Sequence, residues 1–159
     1  MTDLSPIPLD DAILIHYEMM WHRYPEEPVG VRDLGLLDSA LARPGHEAVY
    51  GQSDAAKQAA TLLWGLVMNH PFKQGNKRTA TVLTWTALAR AGYTVAASLQ
   101  DIVNLVSGID NEGRGRSTMW RRGSGIASPR DRKRMAGETF ELSPDGRKSI
   151  AFFRTLEMG

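Results

Sequence analysis

Cysteine is absent from all 159 residues of the chain. Neither a disulfide framework nor a cysteine-based zinc site can exist in it. No apolar run approaches the length needed to span a membrane, and the first residues lack the basic-then-apolar order of a secretory leader. A cytoplasmic protein is the resulting expectation. Aromatic residues are sparse at 8%, and neither sign of charge dominates, with 19 Lys and Arg against 18 Asp and Glu. The near balance conceals a segregation: residues 1–110 carry a net −4, residues 111–134 a net +6 and residues 135–159 a net −1. A content of 42% apolar and 23% charged residues suits one globular domain, with chain enough for one core.

What is present is mainly helical periodicity. A first helix is predicted to begin near Pro8, with Asp10 and Asp11 in its first turn and Ile13, Leu14, Tyr17, Trp21 and Tyr24 as its buried face. His16 and His22 are six residues apart, off metal-ligand spacing on a helix, and read as packing or surface residues. Two prolines make residues 24–30 a turn-rich connection. Leu34, Leu37, Ala40 and Leu41 predict a short second helix ended by Pro44-Gly45. Ser53 offers an N-cap for a long third helix, whose apolar face is Ala59, Leu62, Leu63, Leu66 and Val67. A fourth helix carries Ala80, Leu83, Thr84, Ala87, Leu88 and Ala91 and stops at Gly92. After an extended piece at Tyr93, Thr94 and Val95, the capping box Ser98/Asp101 opens a fifth, with Ile102, Val103, Leu105, Val106 and Ile109 apolar. The fold class expected is an all-α helical bundle occupying residues 1–110.

Past Asp110 the periodicity ends. Glycines 113, 115, 123 and 125 alternate with arginines 114, 116, 121 and 122 around Trp120. Such a segment suits either a nucleic-acid stacking patch or a basic connector. The connector is favoured over residues 111–134 because no binding motif accompanies the charge, so nucleic acid is not an expected partner. Residues 138–142 alternate polar and apolar, residues 143–146 spell a type I turn, and residues 150–153 are strand-like. A C-terminal β-hairpin appendage over residues 135–159 is the expectation.

Between the third and fourth helices lies His70-Pro71-Phe72-Lys73-Gln74-Gly75-Asn76-Lys77-Arg78-Thr79. With Asn76 as N-cap, Lys77 and Arg78 fall in the first helical turn, where cations oppose the macrodipole. The pair is open to two readings, a solvated helix start or an anion site made of backbone N–H groups, dipole and two cations. The imidazole of His70 and the Gly75-Asn76 turn favour the second. Gly75 would let backbone approach a phosphate, Asn76 and the following turn would supply donors, Arg78 would clamp oxygens bidentately and Lys77 would add a point charge. His70 suits a general base at neutral pH, and Phe72 suits an anchor in the core.

This stretch resembles the signature of the Fic/Doc family. Together with Arg32-Asp33-Leu34-Gly35-Leu36-Leu37-Asp38-Ser39-Ala40-Leu41-Ala42-Arg43-Pro44 upstream, the Lys77 version of the motif resembles the Doc branch. The likeness covers roughly residues 8 to 110. It implies a helical fold, His70 as general base toward a Ser, Thr or Tyr hydroxyl of a target protein, and ATP as the nucleotide held by Gly75, Asn76, Lys77 and Arg78. It also implies Mg²⁺, held in the family by an acidic residue where this chain has Gln74. A neutral carboxamide is a poorer ligand for that ion. Most family members transfer AMP, whereas the Doc branch resembles a kinase acting on a translation factor such as EF-Tu. Lysine at position 77, where nucleotidyl transferases have glycine, places phosphorylation first and AMPylation second. A binding module impaired by Gln74 is the reading from another class. Some members carry an inhibitory Ser/Thr-x-x-x-Glu-Gly/Asn helix; the nearest stretch here, residues 107–113, has one residue too many to match. Control by a separate antitoxin chain is what the Doc resemblance implies instead.

Overall fold

The computed structural model describes residues 4–50, 54–95, 97, 99–112 and 126–127. Five helices run in order: α1 (Leu9–Arg23), α2 (Leu34–Tyr50), α3 (Ala55–Asn69), α4 (Asn76–Arg90) and α5 (Leu99–Glu112). A two-residue strand β1 (Thr94–Val95) pairs antiparallel with β2 (Ile126–Ala127). The bundle is assembled on α3 and α4. Helix α2 packs against α3, α1 against α4, and α5 against both. The expected C-terminal hairpin, the connector apart from β2 and its first two residues, which end α5, and Ser98, the expected cap of α5, lie outside the described residues.

Helix α3 buries Ala59, Leu62, Leu63, Leu66 and Val67, the face its periodicity predicts. Its N-cap is Asp54, one residue beyond the expected Ser53; the Asp54 side chain accepts from the Lys57 amide at 2.9 Å. Helix α4 is enclosed nearly all round, every residue from 79 to 88 being buried. Four of these are threonines, at positions 79, 81, 84 and 86, so a helix that reads as half polar is the innermost of the bundle. Thr81 donates its hydroxyl proton to the Lys77 carbonyl at 2.9 Å, which satisfies the group within the helix. Gly92, at φ 83°, terminates α4 as expected. Its amide bonds to Ala89 O and that of Tyr93 to Leu88 O, both at 2.9 Å, the paired bonds of a Schellman motif.

Two expectations are overturned. Pro44 does not end α2, which runs through it to Tyr50. A proline inside a helix forfeits one backbone bond and crowds the carbonyl four residues back. Pro44 is itself buried, and Leu37, Ala40 and Leu41 are buried along α2, so tertiary packing offsets that cost. Across the α2–α3 seam, Arg43 lies over the Trp64 ring at 5.0 Å and passes so close to Gly65 that a Cβ there would meet its Cδ at 2.7 Å. The second correction concerns α1. Its buried residues are Ala12, Ile15, His16, Met19 and Met20, whereas Leu14, Tyr17 and Trp21 are exposed. Apolar side chains surround this helix on all sides, so their spacing alone does not fix which face turns inward. In α5, Ile102, Leu105, Val106 and Ile109 are buried as expected and Val103 is exposed.

Candidate active site

The loop between α3 and α4 is held by the chain from 30 to 33. Val31 and Phe72 form an isolated β-bridge, and the Lys73 amide bonds to Gly30 O at 2.9 Å. The amides of Arg32 and Asp33 both donate to Pro71 O, at 2.7 and 3.1 Å. Asp33 also caps α2, accepting from the Leu36 amide at 2.9 Å. The Arg32 side chain closes the end of α3: Nε donates to His70 O at 2.8 Å and an Nη to Asn69 O at 3.0 Å. Two carbonyls that a helix terminus leaves without partners are thereby satisfied. The upstream arginine motif is a clamp on the loop that carries His70.

His70 is the C-cap of α3 and sits in the left-handed region at φ 46°, ψ 54°. It is the one non-glycine residue with positive φ among those described. That conformation costs about 1–2 kcal/mol for a residue with a Cβ. Arg32, bonded to the His70 carbonyl, holds the backbone there, and the imidazole is left about half exposed, at 48%. Phe72 is anchored in the core at 1% exposure, as expected, stacked on His16 with ring centroids 4.0 Å apart.

His16 is a packing residue. Its ring accepts the Gly30 amide at Nε2 (3.2 Å), so Nδ1 carries the proton and donates to Thr79 Oγ1 at 2.9 Å. Both nitrogens are committed to a neutral ring, and burial lowers the pKa from 6.5 to about 4. One buried imidazole thus ties α1, the 30–33 segment and α4 together beneath the loop.

Asn76 departs from expectation. The N-cap of α4 is Gly75, at φ 72°, and Asn76 is the first residue of the helix. The Asn76 side chain instead folds back on the loop, its Oδ1 accepting from the Phe72 amide at 2.8 Å and its Nδ2 donating to Phe72 O at 2.9 Å. A carboxamide, with an acceptor and a donor side by side, matches both backbone groups of one residue. The loop closes on itself, and the first-turn N–H groups of α4 stay free of a side-chain cap. Gly75 is required on two grounds. Its φ favours glycine, and an added Cβ would meet Met20 Sδ at 2.5 Å.

The two cations take different partners. Lys77 Nζ lies 2.6 Å from Oδ2 of Asp110 on α5, and the other oxygen of the same carboxylate lies 3.3 Å from His70 Nε2. The Lys77 hydrogen bond, reinforced by the charges of Lys77 and His70, outweighs desolvation and holds Asp110 below the usual carboxylate range. Arg78 donates through one Nη to both oxygens of Glu27, at 2.9 and 3.1 Å, and its guanidinium lies 3.7 Å from the centroid of Tyr24. Burial works against the Arg78 charge, but Glu27 and Tyr24 outweigh it and the pKa is raised. The other Nη of Arg78 is buried with no hydrogen-bond partner. The connection at 24–30, read as a linker, therefore supplies the counter-ion of the motif arginine. Glu27 and Asp110 are the counter-ions that local patterns do not reveal, since they reach the site across 51 and 33 residues of sequence from Arg78 and Lys77.

Gln74 is exposed at the tip of the loop. The nearby carboxylates are already engaged, Asp110 by Lys77 and His70 and Glu27 by Arg78. Among the described residues no three acidic or imidazole groups converge on a metal position. This donor set does not fit a protein-held Mg²⁺, which favours carboxylate oxygen.

A profile of the Fic/DOC family matches residues 6–88, just over half of the chain, taking in this loop, all of α3 and all but the last two residues of α4. The chain belongs to the Fic/DOC family. Within it, the chain is similar to the Toxin Doc of Mycolicibacterium smegmatis (strain ATCC 700084 / mc(2)155), at 42% identity over 85 residues. That match spans 48% of this chain and 65% of the relative, so the chain covers just under two thirds of the Toxin Doc it resembles. No solved structure gives a significant match. The helical bundle agrees with the all-α fold that the Fic/Doc resemblance implies. No described helix is long and apolar enough to cross a membrane.

Proposed function

We propose that the chain is a Doc-type toxin that transfers a phosphate group from ATP to a hydroxyl of a target protein, with His70 as general base. The observation that carries this reading is the half-exposed imidazole of His70 joined through Asp110 to Lys77 in the first turn of α4, in a chain similar to a Toxin Doc. Phosphoryl transfer needs positioning and charge neutralisation more than covalent help from the protein. The elements for both are the free first-turn amides of α4, the helix dipole and the side chains of Lys77 and Arg78. Lys77 has three donors and spends one on Asp110; Arg78 keeps an Nη that Glu27 does not use. The phosphates are proposed to lie against Gly75 and Asn76, at the amino end of α4.

The target hydroxyl gives its proton to His70 as its oxygen bonds to the transferred phosphorus, and the nucleotide leaves with the electrons of the broken P–O bond. No step is assigned to a metal, because the protein's own donors do not fit one; an ion brought with the nucleotide would be held by phosphates and water. The target class is a translation factor such as EF-Tu, the site of action is the cytoplasm, and a separate antitoxin chain is the proposed controlling partner.

AMP transfer by the same residues is the alternative outcome, and labelled ATP separates the two. Incubation with cell lysate is expected to move γ-label, and not α-label, onto protein. Label moving from the α position would assign AMP transfer instead, and no transfer of either label would leave a binding module.

A further inference from the structure

Asp110 stands outside the motif, and its two oxygens have separate tasks. Oδ1 faces His70 Nε2 at 3.3 Å, while Oδ2 holds Lys77 Nζ at 2.6 Å. The carboxylate comes from the last turn of α5, the negative end of that helix dipole, where an acidic side chain gains nothing from its own helix. Its neighbour Ile109 is 1% exposed and fixes this turn against the bundle. The site is thus approached by a carboxylate mounted on a packed helix, unlike the groups of the loop itself.

We propose that Asp110 is a positioning residue for the transfer assigned above: it accepts the Nε2 proton of His70, so that Nδ1 presents the lone pair that receives the target hydroxyl proton. The inference rests on His70 being the general base, but the tautomer it specifies exists with or without turnover. A carboxylate accepts only, so while His70 is neutral the shared proton belongs to Nε2. Nδ1 is then the basic nitrogen. When the hydroxyl oxygen bonds to phosphorus, its proton forms an N–H bond at Nδ1, and the imidazolium so formed faces the Asp110 charge. The bond to Lys77 keeps the carboxylate ionised and in place, which the lowered pKa of Asp110 reflects. A carboxamide cannot replace it. One end of that group accepts and the other donates, so Asp110→Asn would turn a donor toward either the Nε2 proton or the Lys77 ammonium.

The test uses the full chain with Asp110→Asn and Asp110→Glu. Nitrogen-15 spectra of the His70 ring in the free protein, above the pH at which the ring is neutral, are expected to show the proton on Nε2. In Asp110→Asn they should move toward a mixture of tautomers. In the labelled-ATP assay, kcat of Asp110→Asn is expected to fall at least about 10-fold and at most about 10⁴-fold, the upper figure being the loss when the carboxylate that fixes a catalytic histidine's tautomer becomes a carboxamide. KM for ATP should move by less than about threefold, because the loss falls on the transfer step. Asp110→Glu, which keeps both acceptors, should recover part of kcat. A His70 tautomer unchanged by Asp110→Asn would overturn the assignment, whether or not transfer is seen. So would a rise in transfer, which would make Asp110 a brake that competes with phosphate for Lys77. Absence of transfer by the unaltered chain would defeat the proposed function alone, leaving the ring spectra to decide the pairing.

Discussion

Replacing His70 with alanine is expected to lower transfer to protein by about 10²- to 10⁴-fold, the range lost when a general base is removed. The fold should survive the change. The ring is half exposed, and its contact is with Asp110 at the surface, whereas Arg32 grips the carbonyl of residue 70, which alanine retains. Alanine bears the same Cβ at the same positive φ, so the substitution adds no backbone strain. The Tm of His70→Ala should therefore stay within a few degrees of the parent while transfer of label collapses. A variant that unfolds would show that the ring supports the α3 terminus; one that transfers normally would remove His70 from the chemistry.

The second large effect concerns the imidazole that is buried, His16. Between pH 7 and pH 4 the protein is expected to lose about 3 kcal/mol of stability through His16 alone. Its folded pKa, about 4, lies below the ordinary 6.5 because burial disfavours the charged ring. Below pH 6.5 the unfolded chain takes up a proton that the folded chain refuses, so unfolding gains with each step in acidity. The contribution is present in full above pH 6.5 and is lost as the pH falls toward 4. Urea unfolding across this range should show the slope, and His16→Gln, less stable at neutral pH, should flatten it. Parallel pH profiles for the two proteins would show that burial does not hold the ring neutral. Acid should loosen the loop before the rest, since His16 supports Phe72 by stacking and Gly30 by hydrogen bonding.

The contrast between these histidines shows what a sequence displays. His70 stands beside Pro71, Gly75 and two cations, and this local company marks it. His16 lies among Ile15, Tyr17 and Met19 on a helix with apolar side chains on its exposed as well as its buried side, and nothing local indicates that its ring meets Thr79, sixty-three residues on. The third helix is legible because leucine and valine recur at helical spacing on the stripe that is buried. The fourth is only partly so. Its threonines read as a polar face, yet Thr81 bonds within the helix and Thr79 to His16, and the whole cylinder fits inside the bundle. Pro44 misleads because a local rule of chain geometry yields there to the packing of α2 on α3. Asn76 reads as a cap that Gly75 in fact supplies; the side chain has a better pair of partners in the Phe72 backbone. Asp110 and Glu27 carry no local signal as counter-ions, and only the closing of the bundle brings them to Lys77 and Arg78.

The central claim is that a nucleotide docks at the amino end of α4, beside His70. An ATP titration followed on the backbone amide resonances of the full chain tests it most directly. Saturable shifts are predicted at Gly75, Asn76, Lys77 and Arg78 and in the His70 ring, all weakened together by Arg78→Ala. Saturable shifts elsewhere, with these five residues unmoved, would contradict the account.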